Sequence, residues 1–232
     1  HPLRQREVEG FEALLRWERP SGEVLGPAQF LDTMTNAYDD RTRPPLGAAN
    51  AVSRWAAYRC QRFVSFNIST AFLERTASRG LGWVSEIAGD VPYRLIVFEL
   101  VETVVARRAD AVAEVVAELR ARGIRVALDD FGVGRSTLER LQDVPVDFVK
   151  IDRRFVAQAL DSPRDRALLQ GMIALARTQG ARTIVEGIES AAQFALVSDM
   201  GADLAQGFFL GRPRPVSDYA ALERPQPARN TR

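Results

Sequence analysis

The sequence predicts an α/β fold in which parallel strands alternate with helices and close into a barrel, and three observations carry this prediction. Short apolar runs that end in polar residues alternate with segments of helical periodicity, which is the pattern of βα units around a parallel sheet. The 232 residues, 46% hydrophobic and 26% charged, suffice for one large core. Almost every apolar run also delivers a polar side chain at its carboxyl end.

Each predicted element follows from a local pattern. The apolar runs predict strands at residues 10–16, 63–67, 95–99, 124–129, 147–151, 182–186 and 205–209, and residues 1–4 look like the remains of a further strand. Residues 103–122 have helical spacing and stop at Gly123. Ser162 before Pro163 marks the start of another helix, and Ser190 with Gln193 forms a capping box for a third.

The composition excludes several classes of function. A formal net charge of +1 gives no field for wrapping a DNA or RNA duplex or for lying on an anionic membrane. The beginning of the chain has no signal-like apolar stretch, and the single cysteine, Cys60, cannot form an internal disulfide, so a soluble cytoplasmic domain is expected. The only histidine is His1, which excludes a histidine-based triad or a His/Cys zinc site within one chain. Lys150 is the only lysine.

The polar residues at the strand ends form a candidate site. They are Glu12, Asn67, Glu99, Asp129, Asp130, Lys150, Asp152, Glu186 and Gln206. Any one of them alone is more simply explained as a helix cap or a solvated loop residue. Gathered at one barrel mouth, however, the carboxylates would repel one another unless cations neutralised them. Oxygen donors favour Mg²⁺ or Mn²⁺, and the adjacent Asp129 and Asp130 would allow a carboxylate to bridge two ions about 3.5–4 Å apart, as in phosphodiester hydrolysis.

The same residues lie in motifs that resemble the EAL domain family. These are EALLR at 12–16, FNIS at 66–69, FELVE at 98–102, DDFG at 129–132, KID at 150–152, EGIE at 186–189 and QGF at 206–208, in family order from the first residue to about Pro213. The resemblance implies a (β/α)₈ TIM-like barrel of EAL type whose first strand is antiparallel. It also implies a cyclic-guanylate-specific phosphodiesterase that hydrolyses cyclic di-GMP to linear pGpG with two Mg²⁺ or Mn²⁺ ions.

The resemblance also implies a role for each motif residue. The metal ligands would be Glu12, Asn67, Glu99, Asp129, Asp130 and Glu186. Lys150 would hold the attacking water or help accept its proton, with Glu12, Glu186 and Gln206 completing the catalytic group. Arg16 would contact a substrate phosphate, Glu102 would tie down the loop after the aspartate pair, and Asp152 and Glu189 would orient Lys150 and the metal ligands.

The resemblance leads to expectations about organisation and to one alternative function. Residues 1–213 would form the domain, with a truncated start, and residues 214–232 a flexible tail. A homodimer and an N-terminal sensory or GGDEF domain are expected. Val101, Val133 and Arg135 depart from the usual family residues, so the alternative is an EAL-type receptor that binds cyclic di-GMP or a protein partner without cleaving it. An unrelated metal-dependent barrel enzyme would not reproduce the ordered motifs.

Overall fold

The computed structural model describes residues 7–26, 61–101, 109–133 and 141–223, together with Leu3 and Gln29. Within them the strands are β1 (Gly10–Glu12), β2 (Trp17–Glu18), β3 (Val24–Leu25), β4 (Phe63–Ser69), β5 (Ile96–Val101), β6 (Arg125–Phe131), β7 (Phe148–Ile151), β8 (Arg182–Val185) and β9 (Leu204–Ala205). The helices are α1 (Thr70–Thr76), α2 (Gly82–Ala88), α3 (Ala109–Ala121), α4 (Arg153–Ala159), α5 (Pro163–Thr178) and α6 (Ala191–Asp199), with 3₁₀ helices at Tyr93–Leu95 and Val216–Glu223.

Seven of these strands form one parallel sheet whose two edges approach each other. Its order is β1-β4-β5-β6-β7-β8-β9, so consecutive strands of the sheet are neighbours in space, as short βα crossovers require. The side chain of Gln206, directly after β9, donates a hydrogen bond of 2.7 Å to Glu12 in β1. The sheet therefore curves into a TIM-like barrel. The other two strands, β2 and β3, pair as a small antiparallel hairpin.

The alternation of side chains along the strands creates two apolar layers. The outward-facing residues, such as Phe66, Phe98 and Leu128, are buried in the main core between strands and helices. A second cluster fills the barrel interior, and its members are Phe63, Val97, Ala127, Phe148, Ile184 and Leu204. Two positions further along each of these strands, the inward side chain is polar, so the apolar interior carries a polar layer on top of it.

The seven strands predicted from residue 10 onward are present, and their ends differ from the prediction most in the first and the last of them. The strand predicted at residues 10–16 ends at Glu12, because the last ladder hydrogen bond runs from the Ala13 amide to the Ser65 carbonyl (2.9 Å). The strand predicted at 205–209 is Leu204–Ala205, because a turn that closes on the Gly207 carbonyl follows it. Both predicted caps are confirmed: Ser162 accepts from the Asp165 amide, and Ser190 and Gln193 form the capping box.

The described residues test the predictions for the two chain ends only in part. Of residues 1–4, only Leu3 is described, and it is helical. The seven sheet strands described are all parallel. The predicted antiparallel first strand would precede them, and it stays a prediction because Leu3 alone is described among residues 1–6. The tail was predicted to be flexible from residue 214, yet Val216–Glu223 is a 3₁₀ helix whose Tyr219 ring packs on Phe11 at 4.6 Å between centroids. Residues 102–108 lie outside the described part, so helix α3 is seen from Ala109. None of the helices described combines the length and the apolar character needed to cross a bilayer.

Candidate active site at the carboxyl ends of the strands

The ammonium group of Lys150 lies at the centre of the polar layer. Lys150 is only 2% exposed. Its Nζ is 2.7 Å from Glu99 Oε2 and 2.8 Å from Glu186 Oε1. It is also 3.2 Å from Asp129 Oδ1 and 3.7 Å from Glu12 Oε2. Strands β1, β5, β6 and β7, together with the residue after β8, thus bring one cation and four carboxylates into contact.

The charges in this cluster are unbalanced, and the pKa values reflect it. Burial alone would lower the pKa of Lys150, but the surrounding carboxylates outweigh burial and hold that pKa well above its usual value. Burial raises the pKa of Glu99 to about 7; Lys150 opposes this shift, and the charges of Glu12 and Asp129 add to it. Burial also raises the pKa of Glu186. One ammonium group therefore does not neutralise the cluster, and further cations would be needed to balance the charge of its carboxylates.

Two amide side chains hold Glu12 from either side. Gln206 Nε2 donates to Glu12 Oε2 at 2.7 Å, and Asn67 Nδ2 is 3.4 Å from Glu12 Oε1. Asn67 stands opposite Glu99 in the pairing of β4 with β5, which explains why it reaches the cluster although it is exposed. These contacts fix the orientation of Glu12 across the seam between β1 and β9.

The adjacent aspartates lie at the irregular end of β6 and have different surroundings. The pairing of β6 with β7 shifts register between Leu128 and Phe131. Asp130 has φ +52, in the left-handed region, and its amide donates to Asp129 Oδ1 at 2.9 Å. Asp129 contacts Lys150, whereas Asp130 is exposed at the mouth. Burial, followed by the charges of Asp129 and Asp152, raises the pKa of Asp130.

The other predicted site residues lie at different distances from the cluster. Asp152 and Glu189 line the same cleft, although Asp152 also caps α4 by accepting from the Arg154 amide at 2.9 Å. Arg16 follows the end of β1, is exposed, and donates to the Leu15 carbonyl at 2.8 Å. Its contact with a substrate phosphate stays a prediction. Glu102 lies outside the described residues, as does Arg135.

The cleft above the cluster has a volume of about 310 Å³, and several of its walls were not singled out by sequence reasoning. Arg153, Gly187, Gly207 and Phe208 line it together with the predicted residues. Each of them follows a predicted site residue by one or two positions. Their closeness to the strand ends could therefore have indicated from the sequence that they line the cleft. A Cβ on Gly207 would overlap the backbone of Ile188, and a Cβ on Gly187, where φ is +71, would overlap Arg153. The two loops therefore meet backbone to backbone.

The donor set suits a hard divalent cation. The cluster offers carboxylate and amide oxygens, with no thiol or imidazole among its members, which matches the ligands of Mg²⁺ and Mn²⁺. Among the described residues, no three acidic side chains yet surround a common point as metal ligands would. The ammonium of Lys150 takes the central position that the carboxylates share.

Comparison with known proteins connects this arrangement with cyclic di-GMP enzymes. The chain is 33% identical over 216 residues to the cyclic di-GMP phosphodiesterase RocR of Pseudomonas aeruginosa, covering 90% of this chain and 54% of RocR. It is 31% identical over 217 residues to the cyclic di-GMP phosphodiesterase PdeB of Shewanella oneidensis, covering 90% of this chain and 25% of PdeB. The chain thus spans between a quarter and about half of these relatives.

Solved structures agree on the fold, and the family match is nearly complete. The PaMucR phosphodiesterase in complex with cyclic di-GMP has a TM-score of 0.70 at 27% identity, covering 89% of this chain and 85% of that one. An EAL domain protein from Listeria monocytogenes has a TM-score of 0.83 at 21% identity, covering 95% and 88%, and supports the fold alone. The EAL domain family matches residues 1–213. This chain belongs to the EAL domain family.

Proposed function

We propose that this domain hydrolyses cyclic di-GMP to linear pGpG by metal-assisted attack of water on one phosphodiester. The observation that carries the proposal is the convergence of Glu12, Glu99, Asp129 and Glu186 on one buried ammonium at the barrel mouth. Such an excess of carboxylates is costly to bury unless cations balance it. The relatives named as cyclic di-GMP phosphodiesterases support the choice of substrate.

The residues that would hold the ions are the oxygen donors of the polar layer. They are Glu12, Asn67, Glu99, Asp129, Asp130 and Glu186. Two Mg²⁺ or Mn²⁺ ions bound there would activate water and neutralise charge on the phosphate oxygens. Asp130 would have to turn inward from its exposed position at the end of β6 to hold an ion together with the others.

The chain's own groups would position the reactants. Lys150 enters the reaction as a protonated donor, because its carboxylate neighbours raise its pKa. It can therefore donate a hydrogen bond to a water molecule or a phosphate oxygen. It could accept a proton only after losing its own, which neutralisation of those carboxylates by cations would favour. Gln206 keeps Glu12 in place, and Glu186 lies beside the ammonium. Asp152 and Glu189 would orient Lys150 and the metal ligands, and Arg16 would contact a phosphate of the substrate.

A receptor that binds the nucleotide without cleaving it is the second candidate. The observation that favours it is that no three acidic groups among the described residues are preformed around a metal position. The sequence departures at Val101, Val133 and Arg135 point in the same direction. Against it, every carboxylate of the family's ligand set is retained.

Incubation of the purified protein with cyclic di-GMP and Mg²⁺ or Mn²⁺, followed by chromatography of the nucleotides, separates the two candidates. The phosphodiesterase predicts pGpG that disappears in Glu12→Ala. The receptor predicts saturable binding, measured by calorimetry, with unchanged nucleotide. Absence of both binding and cleavage in the wild type would refute the proposed function.

We also propose that the domain acts as a homodimer joined to an N-terminal sensory or GGDEF domain. The additional domain is supported by a relative of Pseudomonas aeruginosa named as a bifunctional diguanylate cyclase and cyclic di-GMP phosphodiesterase, MucR, of which this chain covers 32%. The homodimer is proposed from the family resemblance alone. Light scattering of the purified domain, with and without nucleotide, tests the dimer, and a monomer at all concentrations would contradict it.

A further inference from the structure

An exposed aromatic ring forms part of the wall of the catalytic cleft. Phe208 is 52% exposed and lines the same cavity as Glu12, Glu186 and Gln206. The cavity of about 310 Å³ is smaller than a cyclic dinucleotide, so a substrate whose phosphodiester lies over the carboxylates must extend its bases to the rim. Phe208 is the aromatic side chain that the described rim presents to such a base.

The ring is backed on one face by a cation. The Arg212 guanidinium carbon lies 4.6 Å from the centroid of the Phe208 ring. An aromatic ring has two faces, and half of the Phe208 side chain is still exposed with this face covered. The remaining face is therefore open to solvent on the side of the cleft, and the cation stacked behind it also places a positive charge near an anionic ligand.

The backbone around Phe208 is held firmly, which prepares the ring for stacking. The Phe209 amide donates to the Ile188 carbonyl (3.0 Å), and the Ile188 amide donates to the Gln206 carbonyl (3.0 Å). The amides of Leu210 and Gly211 both donate to the Gly207 carbonyl, at 3.0 and 3.1 Å. The chain therefore reverses direction directly after Phe208 and returns Arg212 over the ring.

The C-terminal 3₁₀ segment fixes the position of Arg212. The hydroxyl of Tyr219 donates to the Arg212 carbonyl at 3.2 Å. The ring of Tyr219 packs against Phe11, the residue directly before Glu12. The stack of Phe208 on Arg212 is thus attached to the same strand that carries a carboxylate of the cluster, and its distance from the site is set by the fold.

We propose that Phe208, backed by Arg212, is the platform on which one guanine base of the substrate stacks while its phosphodiester lies over the carboxylate cluster. This inference rests on the proposed function, because it assumes a guanine dinucleotide as ligand. Stacking on an aromatic side chain tolerates any base, so Phe208 contributes affinity and orientation rather than discrimination between purines.

Calorimetric titration of cyclic di-GMP into the metal-loaded protein tests the platform through binding alone. Phe208→Ala is expected to raise Kd by roughly 5- to 150-fold, the range that the stacking energy of one base corresponds to. Phe208→Trp is expected to restore Kd to within about threefold of the wild type, because indole presents a larger stacking face. Arg212→Gln is expected to raise Kd by only about two- to fivefold.

A neighbouring aromatic residue provides the matched control. Phe209 packs on Phe194 at 6.1 Å between centroids and does not line the cleft, so Phe209→Leu is expected to leave Kd within twofold of the wild type. Melting temperature and Mn²⁺ affinity are expected to be unchanged in Phe208→Ala. A loss of either would mean that Phe208 supports the fold or the metal site instead, and would overturn the platform.

The remaining outcomes separate this inference from the proposed function. If the wild type does not bind cyclic di-GMP, both fail. If the wild type binds it, cleaved or not, and Phe208→Ala binds equally well, only the platform fails. The platform also fails if Phe208→Trp does not restore binding, or if Arg212→Gln weakens binding more than Phe208→Ala, since the site would then recognise charge rather than a stacked base.

Discussion

Replacing Lys150 with methionine tests whether this side chain is the cation that holds the barrel mouth together without metal. The change keeps the length of the side chain and removes the charge. Glu99 and Glu186, at 2.7 and 2.8 Å from Nζ, lose their partner, and Glu99 is only 1% exposed. Breaking a buried ion pair by removing one partner costs about 3–5 kcal/mol of unfolding free energy. For a chain of this size that corresponds to a fall in Tm of roughly 6–20 °C.

The assay is thermal unfolding by circular dichroism at pH 8 in EDTA, where the carboxylates are ionised. Arg154→Met is the matched control, because Arg154 is also paired with a carboxylate, Asp152 at 2.8 Å, but its side chain is 63% exposed. An exposed pair of this kind contributes about 1 kcal/mol or less. At pH 5.5 the deficit of Lys150→Met should shrink, since Glu99 can then take up a proton. If Lys150→Met melts within 2 °C of the wild type at pH 8, the carboxylates are not held by Lys150 and the reasoning is wrong.

The remaining predictions concern pH, the proton on Lys150 and the backbone contact of the two loops. Folding raises the pKa of Glu99 from 4.5 to about 7, so the folded chain binds more protons than the unfolded chain between these pH values. The free energy of unfolding of the metal-free protein should therefore fall as pH rises from 4.5 to about 7. Glu99→Gln should flatten this pH profile in urea titrations, and an unchanged slope in that variant would contradict the assignment. Metal affinity should rise over the same window, because binding needs the deprotonated carboxylate, and calorimetry with Mn²⁺ at pH 6 and pH 8 measures it. Lys150→Arg should retain nucleotide binding and lose turnover, because guanidinium cannot give up a proton; wild-type rates would refute the assigned role. Gly207→Ala should lower activity and stability together, because its Cβ would overlap the Ile188 backbone and separate the loops that carry Glu186 and Gln206. Unchanged kinetics in this variant would show that the two loops can move apart without loss of activity.

Much of the fold could be predicted because its signals are local. Helix starts depend on a few neighbouring residues, and so the caps at Ser162 and Ser190 were readable from the sequence. The polar layer was also predictable, because parallel strands deliver their carboxyl ends to one side of a sheet. Lys150 stood out as the only lysine of the chain, and it occupies the centre of the cluster.

What the sequence could not provide depends on long-range geometry. Whether a residue just beyond a strand reaches a ligand depends on where the ladder ends and how the following loop turns, so the phosphate contact expected of the exposed Arg16 stays a prediction. The irregular end of β6, where Asp130 has a positive φ, involves a shift in register against β7, which is a contact between distant segments. The platform of Phe208 and Arg212 requires a turn that the apolar sequence had suggested to be strand.

The buried charged groups at the two ends of the barrel have different partners, and this difference identifies the reactive end. At the amino ends of the strands, Arg182 forms two hydrogen bonds of 2.9 Å with Glu9, and Arg125 lies over the rings of Phe63 and Phe148 at 4.8 and 5.3 Å. Arg182 is thus paired with a carboxylate, whereas Arg125 packs on aromatic rings, and burial followed by the charge of Arg182 lowers the pKa of Arg125.

At the carboxyl ends, one ammonium faces four carboxylates, and the pKa of the most buried one is raised to about 7 because neither solvent nor a full set of partners stabilises its charge. Asp130 at the same mouth also has a left-handed backbone conformation. Strain and unbalanced charge persist only where the surrounding structure enforces them, and they concentrate where a ligand relieves them. The ligand that relieves an excess of oxygen anions is a cation, and a cation held in this way is itself a receptor for a phosphate ester. The imbalance that weakens the metal-free barrel is therefore the property that suits its mouth to the phosphodiesterase reaction that we propose.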